Sequence, residues 1–190
     1  PKNEKNTFNL ICVARYHPQK NYELLLKSIS EFKLKYKREF ILHLVGKNLN
    51  KSNRKLVQDC INFKIKNNII FHGIIEPKEV HKLFAKCDLN LLLSKYGESF
   101  PNVIAESMLY GTFPIVTDIG DASYIVKSFG EVIPIESSPR YVAELIEKYY
   151  LKKYYRFKEW EKNVKDCQNF SNNRFSIKKV SKKFSTIIYN

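Results

Sequence analysis

The sequence predicts an α/β fold: a parallel sheet of about six strands, helices on both faces, and further helices at the C-terminus. Three observations predict it. Short apolar runs such as Phe8–Val13 and Phe40–Val45 alternate with stretches whose apolar residues recur at helical spacing. Gly46, Gly73 and Gly111 punctuate the ends of those segments. Residues 89–117 read strand, loop, helix, strand, the crossover unit that parallel neighbours require.

In chain order, residues 1–7 are polar and read as a linker. Phe8–Val13 is a buried strand, 14–21 a loop, and Leu24, Leu25, Ile29, Phe32 and Tyr36 mark the apolar face of a helix. Phe40–Val45 is a second strand ended by Gly46. Leu56, Cys60 and Phe63 define the next helix, and 68–71 a third strand closed by His72 and Gly73. Pro77 opens a helix ending near Cys87, since proline fits the first helical turn. Residues 88–93 form a fourth strand, 101–109 a helix, Phe113–Thr117 a fifth strand, 123–127 a short helix and 129–134 a last strand. Ser138 and Pro139 open a helix to about Leu151. Strand–helix alternation throughout makes 8–150 one Rossmann-like domain, with 151–190 as C-terminal helices packing on it. In that tail Tyr150, Tyr154, Phe157, Trp160 and Val164 keep helical spacing among Lys152, Lys153, Arg156 and Lys158. The stripe suits either packing on the domain body or a membrane interface. Residues 176–189 read as a last amphipathic helix.

The chemistry concentrates in Gly97-Glu98-Ser99-Phe100-Pro101-Asn102-Val103-Ile104-Ala105-Glu106. Ligands of open α/β sheets bind beyond the carboxyl ends of the strands, where this loop falls. With Ser99 as N-cap and Pro101 in the first turn, the free N–H groups of Ser99, Phe100, Asn102 and Val103 gather at one point and attract an anion. Glu106 lies about 7–8 Å further along the helix axis, a distance that suits a ribose attached to a phosphate at the helix end. Glu98 would face a sugar beyond the phosphate. Alternatively, Glu106 is an ordinary surface acid and Glu98 a loop acid. In the first loop Arg15 and Lys20 stand near a helix start, where a cation opposes the macrodipole and makes best sense with an anion nearby. His17 between them reads as loop filler.

Glu98 to Glu106, with Gly111, Pro114 and Thr117-Asp118-Ile119-Gly120-Asp121, resembles the C-terminal, nucleotide-sugar-binding half of the retaining glycosyltransferases of family 4 (group 1), which have the GT-B fold. The first loop, Val13-Ala14-Arg15 then Pro18-Gln19-Lys20-Asn21, is similar too, and the resemblance runs from about residue 8 to the end. Where the family usually reads Glu-x-Phe-Gly-Leu, this chain reads Glu98-Ser99-Phe100-Pro101-Asn102, which removes one backbone donor. The resemblance implies a nucleoside diphosphate sugar as donor, most simply a UDP-sugar, and a glycan or lipid-linked glycan as acceptor. The catalytic residues implied are Glu98, Arg15 and Lys20. Donor contacts would come from Arg15, Lys20, Glu98, Ser99, Phe100, Pro101, Asn102, Val103 and Glu106, with Ile75 beside the nucleobase. It also implies retention of configuration, no metal and no other cofactor, with Lys20 neutralising the diphosphate. The acceptor-binding half is absent from these 190 residues, and Pro1 is not a natural start, so an upstream segment is expected and the fragment alone should transfer little.

Hydrophobic content of 44% supports a buried core. No apolar run approaches the ~20 residues that span a bilayer. Cys12, Cys60, Cys87 and Cys167 are scattered, as are the four His, which points to reduced buried thiols in a cytoplasmic chain rather than zinc or a disulfide framework. The tail leaves open peripheral attachment at the inner face of the cell membrane. Net charge is +14, half of it in residues 141–190, and favours anionic partners. A basic nucleic-acid-binding domain would explain the charge, but nucleic acid is not the expected partner. An NAD(P)-dependent oxidoreductase would share the layers. After the first strand, however, stands Ala14-Arg15-Tyr16-His17, not Gly-x-Gly-x-x-Gly.

Overall fold

A computed structural model describes residues 7–175. It contains one six-stranded sheet in the order β3-β2-β1-β4-β5-β6. The strands are β1 (Phe8–Val13), β2 (Phe40–Val45), β3 (Ile69–Gly73), β4 (Leu89–Leu92), β5 (Phe113–Thr117) and β6 (Glu131–Ile133). Every neighbouring pair is parallel, with Phe8 opposite Phe40 and Leu10 opposite Leu89. The helices between them are α1 (Tyr22–Tyr36), α2 (Arg54–Asn62), α3 (Pro77–Phe84), α4 (Asn102–Leu109) and α5 (Ala122–Val126). Helices α6 (Pro139–Tyr155) and α7 (Phe157–Phe175) follow the sheet. The expected α/β architecture is therefore the observed one. Strand order reverses between β1 and β4, and the crevice of such a sheet opens above that reversal.

Alternation along the strands divides the core. Leu10, Cys12, Leu42 and Leu44 point to a large cluster with Leu25, Ile29 and Phe32 of α1 and Val142 and Ile146 of α6. Ile11 and Val45 point the other way, onto Phe84 and Cys87. Phe8, Phe32 and Tyr150 join α1 and α6 to the first strand, with ring centroids 5.3–6.5 Å apart. Each buried aromatic of this size removes on the order of 150–250 Å² from water. At the amino end of the sheet Asp88 accepts the Asn9 N–H and Lys153 Nζ, both at 2.8 Å, which ties α6 to β1 and β4.

The helix ends show what local sequence did not settle. α3 stops at Phe84 rather than near Cys87, and α6 runs past Leu151 to Tyr155. The chain then turns at Arg156, so the tail stripe lies on two helices rather than one. Tyr150, Tyr154, Trp160 and Val164 all pack on the core, whereas Phe157 is 56% exposed. α7 packs against α4, where Ser171 Oγ donates to Ala105 O at 3.0 Å. The linker reading of residues 1–6 and the helix expected over 176–189 lie outside the described residues.

Burial pushes the Cys12 thiol up to about 11 and those of Cys60 and Cys167 up to about 12, with Cys87 higher still. All four are free and buried, as the scattered spacing predicts, and protonated thiols at neutral pH make no nucleophile.

Candidate functional site

Two loops meet above the β1/β4 reversal. The first runs from Ala14 to Asn21. Gly46, at φ +138°, lets it cross the end of β2, because a Cβ there would sit 2.2 Å from Ala14 O. Tyr22 Oη donates to Ala14 O at 3.1 Å and Tyr16 N–H to Lys47 O at 2.8 Å. Residues Pro18–Lys20 form one tight 3₁₀ turn. His17 Nδ1 accepts the Gln19 N–H at its start, and Asn21, at φ 48°, caps α1 by accepting the Leu24 N–H. His17 is thus a capping residue rather than filler.

The second loop joins β4 to α4. Ser94, buried at the strand end, accepts Thr117 Oγ1 on its carbonyl at 2.6 Å and donates Oγ to Glu98 Oε1 at 2.5 Å. Lys20 Nζ donates to the same Glu98 oxygen, forming an ion pair across 78 residues of sequence. Gln19 sits between the loops. Its Oε1 accepts from Arg15 at 3.2 Å, its Nε2 donates to Gly97 O at 2.9 Å, and its carbonyl accepts the Lys95 N–H at 2.7 Å. Arginine can only donate and a carbonyl can only accept, which fixes the amide orientation. A third turn supports both: Gly120, at φ +58°, lies under Glu98 and Ser99, and the Asp121 N–H donates to Ser99 O at 2.8 Å.

The helix start differs from the expected one. Ser99 does not cap α4: it lies two residues ahead of the N-cap position, and its side chain is exposed. Pro101 takes the N-cap position with no side-chain cap, and Asn102 rather than Pro101 is the first helical residue. The Asn102 N–H is not free either, since it donates to Phe100 O at 2.8 Å. Among the described residues the N–H groups of Ser99, Phe100 and Val103 keep no such partner. α4 is fixed to the sheet by Asn90, whose Nδ2 reaches Val103 O at 3.3 Å and Ser107 Oγ at 3.1 Å.

Lys20 therefore meets Glu98 directly, and Arg15 reaches the same loop, which leads into α4, through Gln19 and Gly97. Glu106 lies on the exposed side of α4 with no partner among the described residues. Ile75, in the turn after β3, is half-buried and packs with the small cluster of Ile11, Val45 and Phe84. Sequence reading missed Gln19 and Ser94. Nothing local marks Gln19, whose partner Gly97 is 78 residues away; Ser94 carries a weak signal as a small polar residue ending an apolar strand. A separate cleft of about 400 Å³ lies beside the first loop, between Tyr16, Tyr22 and Phe63. Glu23 and Asp59 there balance Lys55 and Lys95, so it suits a dianion less well than the shelf that holds Arg15. Among the described residues no three His, Cys, Asp or Glu side chains gather as a metal site, and no helix is long and apolar enough to cross a membrane.

With this geometry in hand, the comparison with known families is decisive: residues 1–173 match the glycosyl transferases group 1. The chain belongs to that family. It is 24% identical over 174 residues to an uncharacterized 41.2 kDa protein in the cps region of Klebsiella pneumoniae, covering 90% of this chain and 43% of that protein. Among solved structures it is similar to a glycosyltransferase from Rickettsia africae, with TM-score 0.83 and 21% identity over 96% of this chain and 47% of that one. It is similar also to Anabaena Alr3699/HepE, solved in complex with UDP-glucose, with TM-score 0.81 and 20% identity over 97% of this chain and 49% of that one. These structural likenesses carry the fold. The chain spans less than half the length of these relatives.

Proposed function

We propose that this chain is the donor-binding half of a retaining glycosyltransferase. It takes a nucleoside diphosphate sugar, a UDP-sugar most simply, for transfer to a glycan or lipid-linked glycan held by the other half. The observation that carries the reading is the convergence of Arg15, Lys20 and Glu98 on the loop that leads into α4, above the sheet's reversal point. The UDP-glucose complex of the similar Anabaena protein and the capsule-region setting of the Klebsiella relative support it.

Arg15, Lys20 and the N–H groups of Ser99, Phe100 and Val103 would hold the diphosphate and stabilise its growing charge as the sugar leaves. Fixed donors aimed at developing charge are usually the largest catalytic contribution, and here two cations would take the place of a metal. Glu98 would accept hydroxyls of the donor sugar, and Glu106 those of the ribose. The nucleobase would lie near Ile75. The chain would act in the cytoplasm. Any membrane contact would be peripheral and would fall at the α6–α7 corner, where Tyr155 and Phe157 are exposed beside Arg156 and Lys158.

Titration of UDP, GDP, ADP and uridine against the 190-residue chain tests the site. UDP should bind best. Arg15→Ala should lower UDP affinity about 10- to 100-fold, the worth of a charge-assisted hydrogen bond, and leave uridine nearly unchanged. Glu106→Ala should weaken uridine as well. UDP affinity indifferent to Arg15 and Lys20 would remove the diphosphate from this place.

A further inference from the structure

Lys20 is wanted by two partners. In the free chain its ammonium is held by Glu98, and each side chain is only 14% exposed. Ser94 donates to the same carboxylate oxygen, while Glu98 Oε2 has no partner among the described residues. A diphosphate at the start of α4 needs the ammonium that Glu98 holds. Arg15 differs: its only described side-chain partner is the neutral Gln19 amide, so no carboxylate competes for its charge.

We propose that the Lys20–Glu98 pair is a latch that makes the site select sugar-bearing nucleoside diphosphates over the bare diphosphate left after transfer. The inference rests on the donor site of the preceding subsection. When Lys20 turns to a diphosphate, Glu98 loses its counter-ion in a partly buried place, which costs free energy. A donor sugar offsets that cost, because its hydroxyls donate to the vacated carboxylate. A bare diphosphate brings no such donor, so Glu98 competes with it for Lys20. Ser94 keeps Glu98 in position while Lys20 is away, and the turn at Gly120 supports it from below. After the sugar leaves, the ion pair recloses and the diphosphate dissociates. Glu98 therefore sets specificity between donor and product as well as orienting the sugar.

The latch predicts that removing a charged residue of the site strengthens binding. Calorimetric titration of UDP and UDP-glucose into the parent chain and Glu98→Gln tests it. The parent should bind UDP-glucose about 3- to 10-fold more tightly than UDP. Glu98→Gln should bind UDP about 3- to 10-fold more tightly than the parent does and lose the preference for UDP-glucose. Glu98→Ala should also gain UDP affinity, which guards against an effect peculiar to the amide. If neither variant gains UDP affinity while Arg15→Ala loses it, the latch is wrong and the diphosphate site stands. If Arg15→Ala keeps its UDP affinity, the site fails and the latch with it.

Discussion

Two ion pairs of the same chemistry sit at opposite ends of this sheet. Asp88–Lys153 closes the amino end, and Lys20–Glu98 lies across the carboxyl end. Asp88 is enclosed: it takes the Asn9 N–H, and its partner ammonium stands over the rings of Phe8 and Tyr154 at 5.7 and 5.5 Å. Burial still pushes the Asp88 carboxyl up, outweighing Lys153 and the Asn9 N–H. Folding thus disfavours its charged form, and the pair positions α6 more than it stabilises the fold. Lys20–Glu98 lies on the loop that carries the N–H groups of Ser99 and Phe100, which keep no partner among the described residues, and near an Arg15 that has no carboxylate partner among them. On the proposed latch, the difference is that a third group can enter at the carboxyl end and exchange partners with the pair. At the amino end Asp88 takes the Asn9 N–H, and Lys153 also donates to Thr7 O, so the same two groups hold α6 to β1 and serve position.

That contrast can be broken most severely at the amino end. Lys153→Ala leaves Asp88 enclosed without its partner and should cost about 3 kcal/mol in urea unfolding. Adding Asp88→Asn should recover much of the loss, and full stability of Lys153→Ala would show that the buried Asp88 does not need its partner. At the open end, Gly120→Ala places a Cβ 2.3 Å from Ser99 O and 2.4 Å from Glu98 O at φ +58°. It should cost about 1–2 kcal/mol and displace Glu98, so that UDP-glucose loses more affinity than UDP. Equal losses would separate Glu98 from sugar recognition.

A third pair lies away from both ends. His43 Nδ1 and His72 Nε2 stand 2.9 Å apart on β2 and β3. Burial first, then His72 and Lys86, push the His43 imidazole down to about 4. The unfolded chain then binds the extra proton between the ordinary histidine value of 6.5 and about 4. Stability should therefore be complete above pH 6.5 and fall by about 1–2 kcal/mol as pH drops towards 4, the full shift being discounted for part exposure. His43→Leu should flatten that profile in urea titrations at pH 7 and 5. The smallest effect belongs to the exposed Glu23–Lys27 pair one turn apart on α1, at 2.6 Å. Glu23→Gln should cost about 0.3 kcal/mol, within what salt already screens.

Much of the molecule was legible before any coordinates. Strands such as Phe8–Val13 and Phe40–Val45 declare themselves because a buried parallel strand is a short continuous apolar run, and helix α1 because its apolar residues keep one face. The residues of the site were legible as candidates, since a cation beside a helix start makes best sense with an anion nearby and the run from Glu98 to Glu106 carries the family resemblance. The helix start at Asn102 was not. There the Asn102 N–H is taken by Phe100 O, and Ser99 O is held by the Asp121 N–H, a contact made across the fold. Gln19 was silent for the same reason.

The sequence alone determined the layers, the strand order's parallel character, the family and the names of the charged groups, because periodicity, punctuation and residue chemistry are local properties. Only the tertiary structure decided who pairs with whom. Lys20 meets Glu98, Gln19 bridges Arg15 to Gly97, and Ser94 steadies Glu98, all between loops far apart in the chain. The reversal of strand order between β1 and β4 brings those loops together, and no local pattern encodes a distance across a sheet.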